Sequence, residues 1–252
     1  MRVVLLGTGD SPGTPVIGCH CRTCEDARKM GWQRRRFSVM VQNAGKTLLI
    51  DTSPDMREQL LRMDVDRVDA VIWTHCHYDH FIGFGDFYRV QSNVNVFTLP
   101  EIHDSIAYFM KFLKYKPQEV ESHKTFRLFD MDITLLDVNH PPVRSVGVKI
   151  EYDGYKVVVS GDTNKNVPNK TLAEMIDADL FIVEALAPEG RFRKHMNAVE
   201  ALNLAKKINA KKVVLTHVGH FFPPHNTAVK KYPLGIDFQT FSFGEASLDE
   251  FI

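Results

Sequence analysis

Five apolar segments of this 252-residue chain each end in a side chain that can bind a metal ion. The five residues are Asp51, His75, His140, Asp162 and His217. In layered α/β architectures the strand ends gather at one edge of the sheets, so residues that are distant in sequence can converge on one site. The pattern therefore predicts a layered fold with one metal centre at a sheet edge.

The segment THCHYDH is the densest part of this pattern, with three histidines and one aspartate within six residues after an apolar strand. In an extended segment His75 and His77 point the same way and can bind one ion. The turn at Asp79 and His80 can face a second ion. These ligands suit zinc, iron or manganese, and two ions can share a hydroxide because the pKa of water falls from ~16 to roughly 7 on a zinc-like ion. Cys76 should point away from the metals into the core.

The rest of the chain predicts strands and helices without a break between domains. FSVMVQ and TLLIDTS form a predicted hairpin, and PDMREQLLRM, FGDFYRV and PEIHDSIAYFMKFL are predicted helices. A further helix is predicted from about Asn197 to Ile208. No repeat, low-complexity segment or linker interrupts this order. We therefore expect one domain over residues 1–252.

Charge and hydropathy limit the partners and the location. The 31 basic residues balance the 31 acidic ones, so no overall field favours nucleic acid or an anionic membrane. No apolar run is long enough to span a bilayer, and the five-residue apolar stretch near the start is too short for a signal peptide. We expect a cytoplasmic protein with a small-molecule substrate; the oligomeric state stays open, with a homodimer as the common outcome.

Three of the four cysteines lie together in the segment GCHCRTC, as Cys19, Cys21 and Cys24. Clustered thiols in a reducing compartment usually hold metal, and a closed structural zinc site needs four ligands. His220 is the best candidate for the fourth, because it follows the predicted metal ligand at the end of the last strand by three residues. His225 is the second candidate, and the adjacent His20 would require a very tight backbone curl. A redox dithiol or a labile disulfide are the alternatives.

The chain resembles the metallo-β-lactamase superfamily in five segments that match its motif set. In chain order these are LLIDTS, THCHYDH, VNHP, VSGDT and LTHVGH. The resemblance covers essentially the whole chain and implies an α+β fold, the αββα four-layer sandwich, with the site at one edge of its two sheets. It implies that Asp51 orients the ligands by hydrogen bonds. It also implies two ligand sets and one bridging residue: His75, His77 and His140 for one ion, Asp79, His80 and His217 for the other, and Asp162 between them.

One branch of the superfamily, the PhnP-type phosphodiesterases, is similar to this chain in LLGTG, in the cluster VIGCHCRTC, in the basic QRRRFS and in the late TH..H. This resemblance implies that Cys19, Cys21, Cys24 and His220 hold a structural zinc. It also implies that His195 reaches the active site as a general acid or phosphate contact. The neighbouring Arg191, Arg193 and Lys194 could attract a phosphate, although such charge runs are usually only solvated.

The expected function is therefore a metal-dependent hydrolase, a phosphodiesterase acting on phosphoribosyl 1,2-cyclic phosphate or a similar small ester through a metal-bridging hydroxide. Asp51, Asp79 and His195 are its candidate catalytic residues. The expected cofactors are two divalent ions, zinc or manganese, and one structural zinc. The alternatives are a tRNA 3′-processing endonuclease, for which the long basic arm is missing, a lactonase or thioesterase, and a metal-binding scaffold without activity.

Overall fold

The computed structural model describes residues 1–244, which form two β-sheets with helices on their outer faces. The strands are β1 Arg2–Gly7, β2 Ser38–Asn43, β3 Lys46–Ile50, β4 Ala70–Ile72, β5 Val94–Thr98, β6 Tyr115–Glu119, β7 Thr125–Leu128, β8 Met131–Val138, β9 Ser145–Tyr152, β10 Tyr155–Val159, β11 Leu180–Glu184, β12 Val213–Thr216 and β13 Thr240–Ser242. The helices are α1 Arg22–Met30, α2 Met56–Arg62, α3 Tyr78–Phe81, α4 Pro100–Ala107, α5 Asn169–Met175, α6 Ala198–Lys207, α7 His225–Ala228 and a 3₁₀ helix, Ile82–Phe87. Within residues 1–244, no helix is both long and apolar enough to cross a membrane.

The two sheets have the orders β13-β1-β2-β3-β4-β5-β6 and β12-β11-β10-β9-β8-β7. Their facing sides share one apolar core, and the outer face of the second sheet packs against α5 and α6. Successive side chains of a strand alternate between these two environments. On β8, for example, Leu135 lies in the core between the sheets, whereas Leu136 packs on the helix side with Met175 and Leu204. The α+β sandwich predicted from the motifs is confirmed.

In each sheet, the strands that run in one common direction have their carboxyl ends at the same edge of the sandwich. Strands β3, β4 and β5 are parallel, as are β10, β11 and β12, and β8 runs the same way as β10 because both are antiparallel to β9. The sheets touch at this edge, where the backbone N–H of Val146 donates to the carbonyl of Thr74 at 3.0 Å. The strand-end residues of the sequence pattern therefore all lie at this edge.

The first strand is covered on both sides. β1 pairs with β2 and with β13, both antiparallel, and the terminal amine of Met1 donates to the carbonyl of Phe243 at 2.7 Å. The beginning of the chain therefore completes its sheet with residues near position 240.

Most of the predicted elements are present, and the differences are local. The predicted hairpin forms β2 and β3, and α6 begins at an Asn197 cap whose side chain accepts from the backbone N–H of Glu200. The predicted helix PEIHDSIAYFMKFL ends earlier than expected, at Ala107, and α1 in the cysteine segment was not predicted. FGDFYRV contributes to the 3₁₀ helix Ile82–Phe87 instead of an α-helix, which fits the two glycines of that 3₁₀ helix, Gly83 and Gly85.

Gly83 permits a close backbone approach beneath the site. A Cβ atom at this position would lie 1.8 Å from the carbonyl oxygen of Ser53, in the loop after β3. We expect Gly83→Ala to lower the free energy of unfolding by about 2–4 kcal/mol, because the backbone must shift to admit the methyl group. Urea denaturation would measure it, with Gly85→Ala as the matched control, since its nearest contact would be Phe112 at 3.8 Å. Equal stability of the two variants would contradict this packing.

Candidate metal centre

Three histidines from two sheets converge at the strand ends. His77 Nδ1 lies 3.1 Å from His75 Nε2 and 3.0 Å from His140 Nε2. A tetrahedral ion with metal–nitrogen bonds of about 2.0 Å holds its ligand nitrogens about 3.3 Å apart. The three nitrogen atoms therefore have the spacing of ligands around one ion.

A second group of ligand atoms lies beside the first. His80 Nε2 is 3.2 Å from Asp79 Oδ2, and His217 Nε2 is 3.5 Å from the same oxygen. Asp162 Oδ2 lies between the groups, at 3.7 Å from His75 Nε2 and 3.9 Å from His140 Nε2. On the other side it is 3.5 Å from the ring of His80 and 3.3 Å from that of His217.

The unpartnered nitrogen atoms of the site show that the donor set fits two divalent ions. His80 Nε2 and His217 Nε2 are buried and have no hydrogen-bond partner in the part of the chain that the structure describes. A buried polar atom without a partner is costly, and a metal ion would satisfy both nitrogens. The opposite nitrogen is held by protein in two of the rings, since His80 Nδ1 donates to Asp51 at 2.6 Å and His140 Nδ1 donates to the carbonyl of Lys194 at 2.9 Å. A held ring nitrogen fixes the tautomer that leaves the other free to bind metal.

Asp51, for which the resemblance implies an orienting role, lies directly behind the candidate ligands. Its carboxylate is fully buried and accepts from the His80 Nδ1–H at 2.6 Å and from the Thr74 backbone N–H at 2.8 Å. The Thr74 hydroxyl donates to the same carboxylate at 2.7 Å and lies 3.0 Å from His75 Nδ1. One carboxylate therefore orients a histidine of each ligand group.

Burial and the neighbouring carboxylates set the charges of the centre. Burial lowers the pKa of His75, and it lowers that of His77 to about 4, so both rings are neutral and able to bind metal. Burial alone would raise the pKa of Asp79 and Asp162, but the surrounding histidines outweigh it and hold both values low. Burial would likewise lower the pKa of His217, yet Asp162 and Asp79 raise it to about 9. The carboxylates of the centre therefore stabilise positive charge strongly.

His195 lies at the same centre and is held by a residue that the sequence analysis missed. Its Nδ1 is 3.1 Å from both carboxylate oxygens of Glu184, and its ring stacks on His217 at 5.2 Å. Glu184 is buried and also accepts from the backbone N–H of Thr163 at 2.8 Å. Burial raises the pKa of Glu184 and lowers that of His195 to about 4. Nδ1 and the carboxylate are within hydrogen-bond distance, so one proton lies between them.

A cavity of about 270 Å³ opens on the centre, lined by Ser11, His77, Tyr78, Asp79, Asp162, His195 and His217. Its size corresponds to the lower end of small-molecule sites. The exposed side chains of Arg191 and Arg193 do not line it. Arg193 contributes through its backbone instead, because its carbonyl accepts from Asn164 at 3.0 Å.

The cysteine cluster forms a separate four-ligand group. His220 Nδ1 lies 3.3 Å from Cys19 Sγ, 3.5 Å from Cys21 Sγ and 3.6 Å from Cys24 Sγ. Around a tetrahedral zinc ion, sulfur and nitrogen ligands are about 3.5 Å apart. The backbone N–H of Val16 donates to Cys24 Sγ at 3.3 Å, a bond that stabilises negative charge on sulfur. These atoms fit one zinc ion.

The other candidates for this group lie elsewhere. His20 is exposed and lies 3.7 Å from Glu25, and His225 Nδ1 lies 3.2 Å from a guanidinium nitrogen of Arg34. Cys76 packs against the core between the sheets and belongs to neither ligand group, as predicted. The structure therefore brings His220, and neither alternative, to the three cysteines.

A family model described as the beta-lactamase superfamily domain matches residues 46–218, which include the HxHxDH segment and extend to the end of the last ligand-bearing strand. The chain belongs to the metallo-β-lactamase superfamily. A solved structure described as a new diphosphatase from the PhnP family superposes with a TM-score of 0.85 at 26% identity, covering 96% of this chain and 98% of that one. This match places the superfamily member in its PhnP-type branch.

Curated relatives of this metallo-β-lactamase superfamily member carry different names. An octanoyltransferase of Porphyromonas gingivalis is 28% identical over 247 residues, which are 92% of this chain and 49% of that protein, so the chain spans about half of its length. A ribonuclease Z of Mycolicibacterium gilvum is 26% identical over 263 residues, covering 86% of this chain and 84% of that protein. The names of the ribonuclease and the diphosphatase describe hydrolases, whereas that of the octanoyltransferase describes a transferase.

Two buried acids of this superfamily member escaped the sequence analysis. Glu184 ends β11, so it carries the same signal as the five strand-end residues, but it follows the apolar run LFIV as if it were part of the strand. Asp10 follows β1 within three residues, and its Oδ1 is buried without a partner among the described residues. Burial raises the pKa of Asp10 to about 6. The signal that both share is an acid at the end of an apolar strand or within three residues after it.

The four-ligand group predicts a separable effect on stability. We expect Cys21→Ser to remove one zinc ion per chain and to lower the free energy of unfolding by more than about 3 kcal/mol, since loss of a metal is among the most damaging single changes. Elemental analysis and thermal denaturation would measure the two effects, with Cys76→Ser as the matched control. A Cys21→Ser protein that keeps full zinc content and stability would contradict a structural zinc site.

Proposed function

We propose that this chain is a two-metal phosphodiesterase that hydrolyses a small cyclic phosphodiester such as phosphoribosyl 1,2-cyclic phosphate. The observation that carries the proposal is the position of Asp162 Oδ2, within 3.9 Å of ligand nitrogens from both groups. A carboxylate in that position can bridge two ions at the short separation used in two-metal hydrolysis. The likeness to a PhnP-family structure supports the choice of a phosphorus ester.

When bound, two zinc or manganese ions would supply a nucleophilic water at neutral pH and neutralise charge on the phosphoryl oxygens. The protein residues do the rest. The two ligand groups fix the positions of the ions, and Asp51 keeps the rings of His75 and His80 oriented. Asp79 adds a negative charge that favours divalent ions over other occupants.

The His195–Glu184 pair supports protonation of the leaving oxygen. Because Glu184 holds Nδ1 of the ring at 3.1 Å, Nε2 is the ring atom left for a substrate in the cavity. Transfer of the Nε2 proton to a leaving alkoxide can be accompanied by movement of the shared proton to Nδ1, so the ring does not become negatively charged. Such general acid catalysis typically contributes ~10²–10⁴-fold.

The size of the cavity and the balance of charge favour a small substrate over tRNA. About 270 Å³ accommodates a sugar phosphate, and the 31 basic and 31 acidic residues give no net attraction for a polyanion. The presence of all seven candidate ligands at the centre favours an enzyme over an inactive scaffold. A location in the cytoplasm belongs to the same proposal, since three free thiols as zinc ligands suit a reducing compartment.

Hydrolysis of a diphosphate is the second candidate. The PhnP-family structure that matches 96% of this chain is described as a diphosphatase. A diphosphate offers the same phosphorus centre to the same ions, but its leaving group is a phosphate, which needs no proton from His195.

A substrate screen separates these candidates. We expect the zinc- or manganese-reconstituted protein to hydrolyse phosphoribosyl 1,2-cyclic phosphate and bis(p-nitrophenyl) phosphate faster than ADP-ribose, a lactone or a precursor tRNA. Asp162→Ala should abolish every activity, because both ion positions depend on this carboxylate. Cleavage of the lactone or the tRNA alone would refute the proposal, and preference for ADP-ribose would select the second candidate.

The role of His195 predicts a dependence on the leaving group. We expect His195→Ala to lower kcat for the cyclic sugar phosphate by ~10²–10⁴-fold and kcat for bis(p-nitrophenyl) phosphate far less, since nitrophenolate leaves without a proton. Glu184→Gln should show the same preference with a smaller loss. Steady-state kinetics would measure both, with His20→Ala as control because its side chain is 83% exposed. Equal losses on the two substrates would exclude a general acid.

A further inference from the structure

A second cavity, of about 300 Å³, shares no lining residue with the catalytic cavity. The side chains that matter to its chemistry are Trp32, Arg34, Arg35, Arg62, His225 and Phe238. They come from residues 32–35, from the end of α2 and from two positions after β12, His225 and Phe238, none of which has a part in the proposed catalysis. The cavity therefore needs an explanation of its own.

Arg34 places a buried positive charge at this cavity. Its side chain donates from Nη1 to Thr8 Oγ1 at 2.7 Å and to the carbonyl of Gly235 at 2.8 Å, and the residue is only 6% exposed. Among the described residues, no carboxylate forms a direct ion pair with it, and the nearby Asp237 is linked to it through Thr8, whose hydroxyl donates to Asp237 Oδ1 at 2.7 Å. A buried guanidinium without a direct anionic partner is costly, and an anion in the cavity would offset the cost.

Two further guanidinium groups flank one aromatic ring of the cavity. The Cζ atoms of Arg35 and Arg62 lie 5.0 Å and 4.6 Å from the ring centroid of Phe238. Asp237, the acid that lines the cavity, is already paired with Arg35, whose backbone N–H and Nη1 donate to its Oδ2 at 2.8 Å and 3.4 Å. Glu58 pairs with Arg35 from outside the lining, yet Nε of Arg35 is buried with no partner among the described residues.

His225 and Trp32 complete an aromatic wall. Their ring centroids are 5.7 Å apart, and the His225 Nδ1 accepts from Arg34 Nη2 at 3.2 Å. An imidazole that accepts at Nδ1 carries its proton on Nε2, which is a further donor among the lining residues. The cavity therefore combines cationic donors with the flat faces of three rings.

We propose that this cavity is a second binding site, for a small organic phosphate whose planar apolar part packs against Trp32, His225 and Phe238. Phosphate matches planar guanidinium donors in geometry and charge, and arginine is the residue most suited to it. The cavity volume lies at the lower limit for small-molecule sites and exceeds what a phosphate alone would fill.

The site is connected to the catalytic centre through backbone bonds. Thr8, which receives the Arg34 hydrogen bond, also accepts at its carbonyl from the backbone N–H of Val218 at 2.8 Å. Val218 directly follows the candidate metal ligand His217. A molecule that binds Arg34 is therefore linked through these hydrogen bonds to Val218, the residue next to His217.

Tryptophan fluorescence isolates this site from the catalytic one. The chain has two tryptophans, and Trp73 is fully buried in the core between the sheets. We expect phenylphosphonate, which cannot be hydrolysed, to change the fluorescence of the full-length protein saturably at millimolar concentration and to leave Trp32→Phe unchanged. Inorganic phosphate should bind more weakly, and phenol should give no change.

Arginine variants test the donors. Arg34→Gln and Arg62→Gln should each weaken phenylphosphonate binding at least about tenfold, the factor contributed by one charge-assisted hydrogen bond. Arg2→Gln, which removes an exposed arginine on β1, should bind as the wild type does. Because Arg62 is exposed, its variant keeps the test valid if Arg34→Gln does not fold.

Four results would overturn the proposal: no signal from Trp32, equal binding of phenol, equal binding of inorganic phosphate, or unchanged affinity in Arg62→Gln. None of these depends on whether the protein hydrolyses a phosphodiester, so the second site and the proposed function can fail separately.

Discussion

The alignment of the two sheets at their common edge is the constraint on which the metal centre depends. His75 and His77 follow a strand of the first sheet, whereas His140 and Asp162 follow strands of the second. The backbone bond from Val146 to Thr74 fixes this alignment directly beside the ligands. A displacement of one sheet by a single residue would move a ligand by about 3.3 Å, which no metal–ligand bond tolerates.

The ligand positions were predictable because each is encoded by a local signal, a polar residue at the end of an apolar run. The predicted residues of both ligand groups and the four-ligand cysteine group do come together in the structure. Asp51 was predictable for the same reason. The resemblance of the motifs then supplied the sandwich, which periodicity alone does not specify.

Other features depend on contacts that no local signal carries. Glu184 matters because the segment after β11 folds back on itself, with backbone bonds from Leu186 to Met196 and from Ala198 to Ala187, and so brings His195 to the carboxylate. The 3₁₀ helix reflects tertiary packing, since Gly83 is needed where the loop at Ser53 approaches. The arginine cavity joins segments about 200 residues apart, such as Arg34 and Gly235, so the sequence offered no sign of it.

The pairing of β1 with β13 constrains the order in which the molecule can fold. During synthesis β1 emerges long before β13, so its outer edge stays open until the residues near position 240 have left the ribosome. An open and largely apolar strand edge is a template for association with other chains. Contacts of such long sequence separation also slow folding, because the loop between them must close first. The completed protein conceals this edge, whereas its nascent and proteolytically shortened forms would be the ones prone to aggregate.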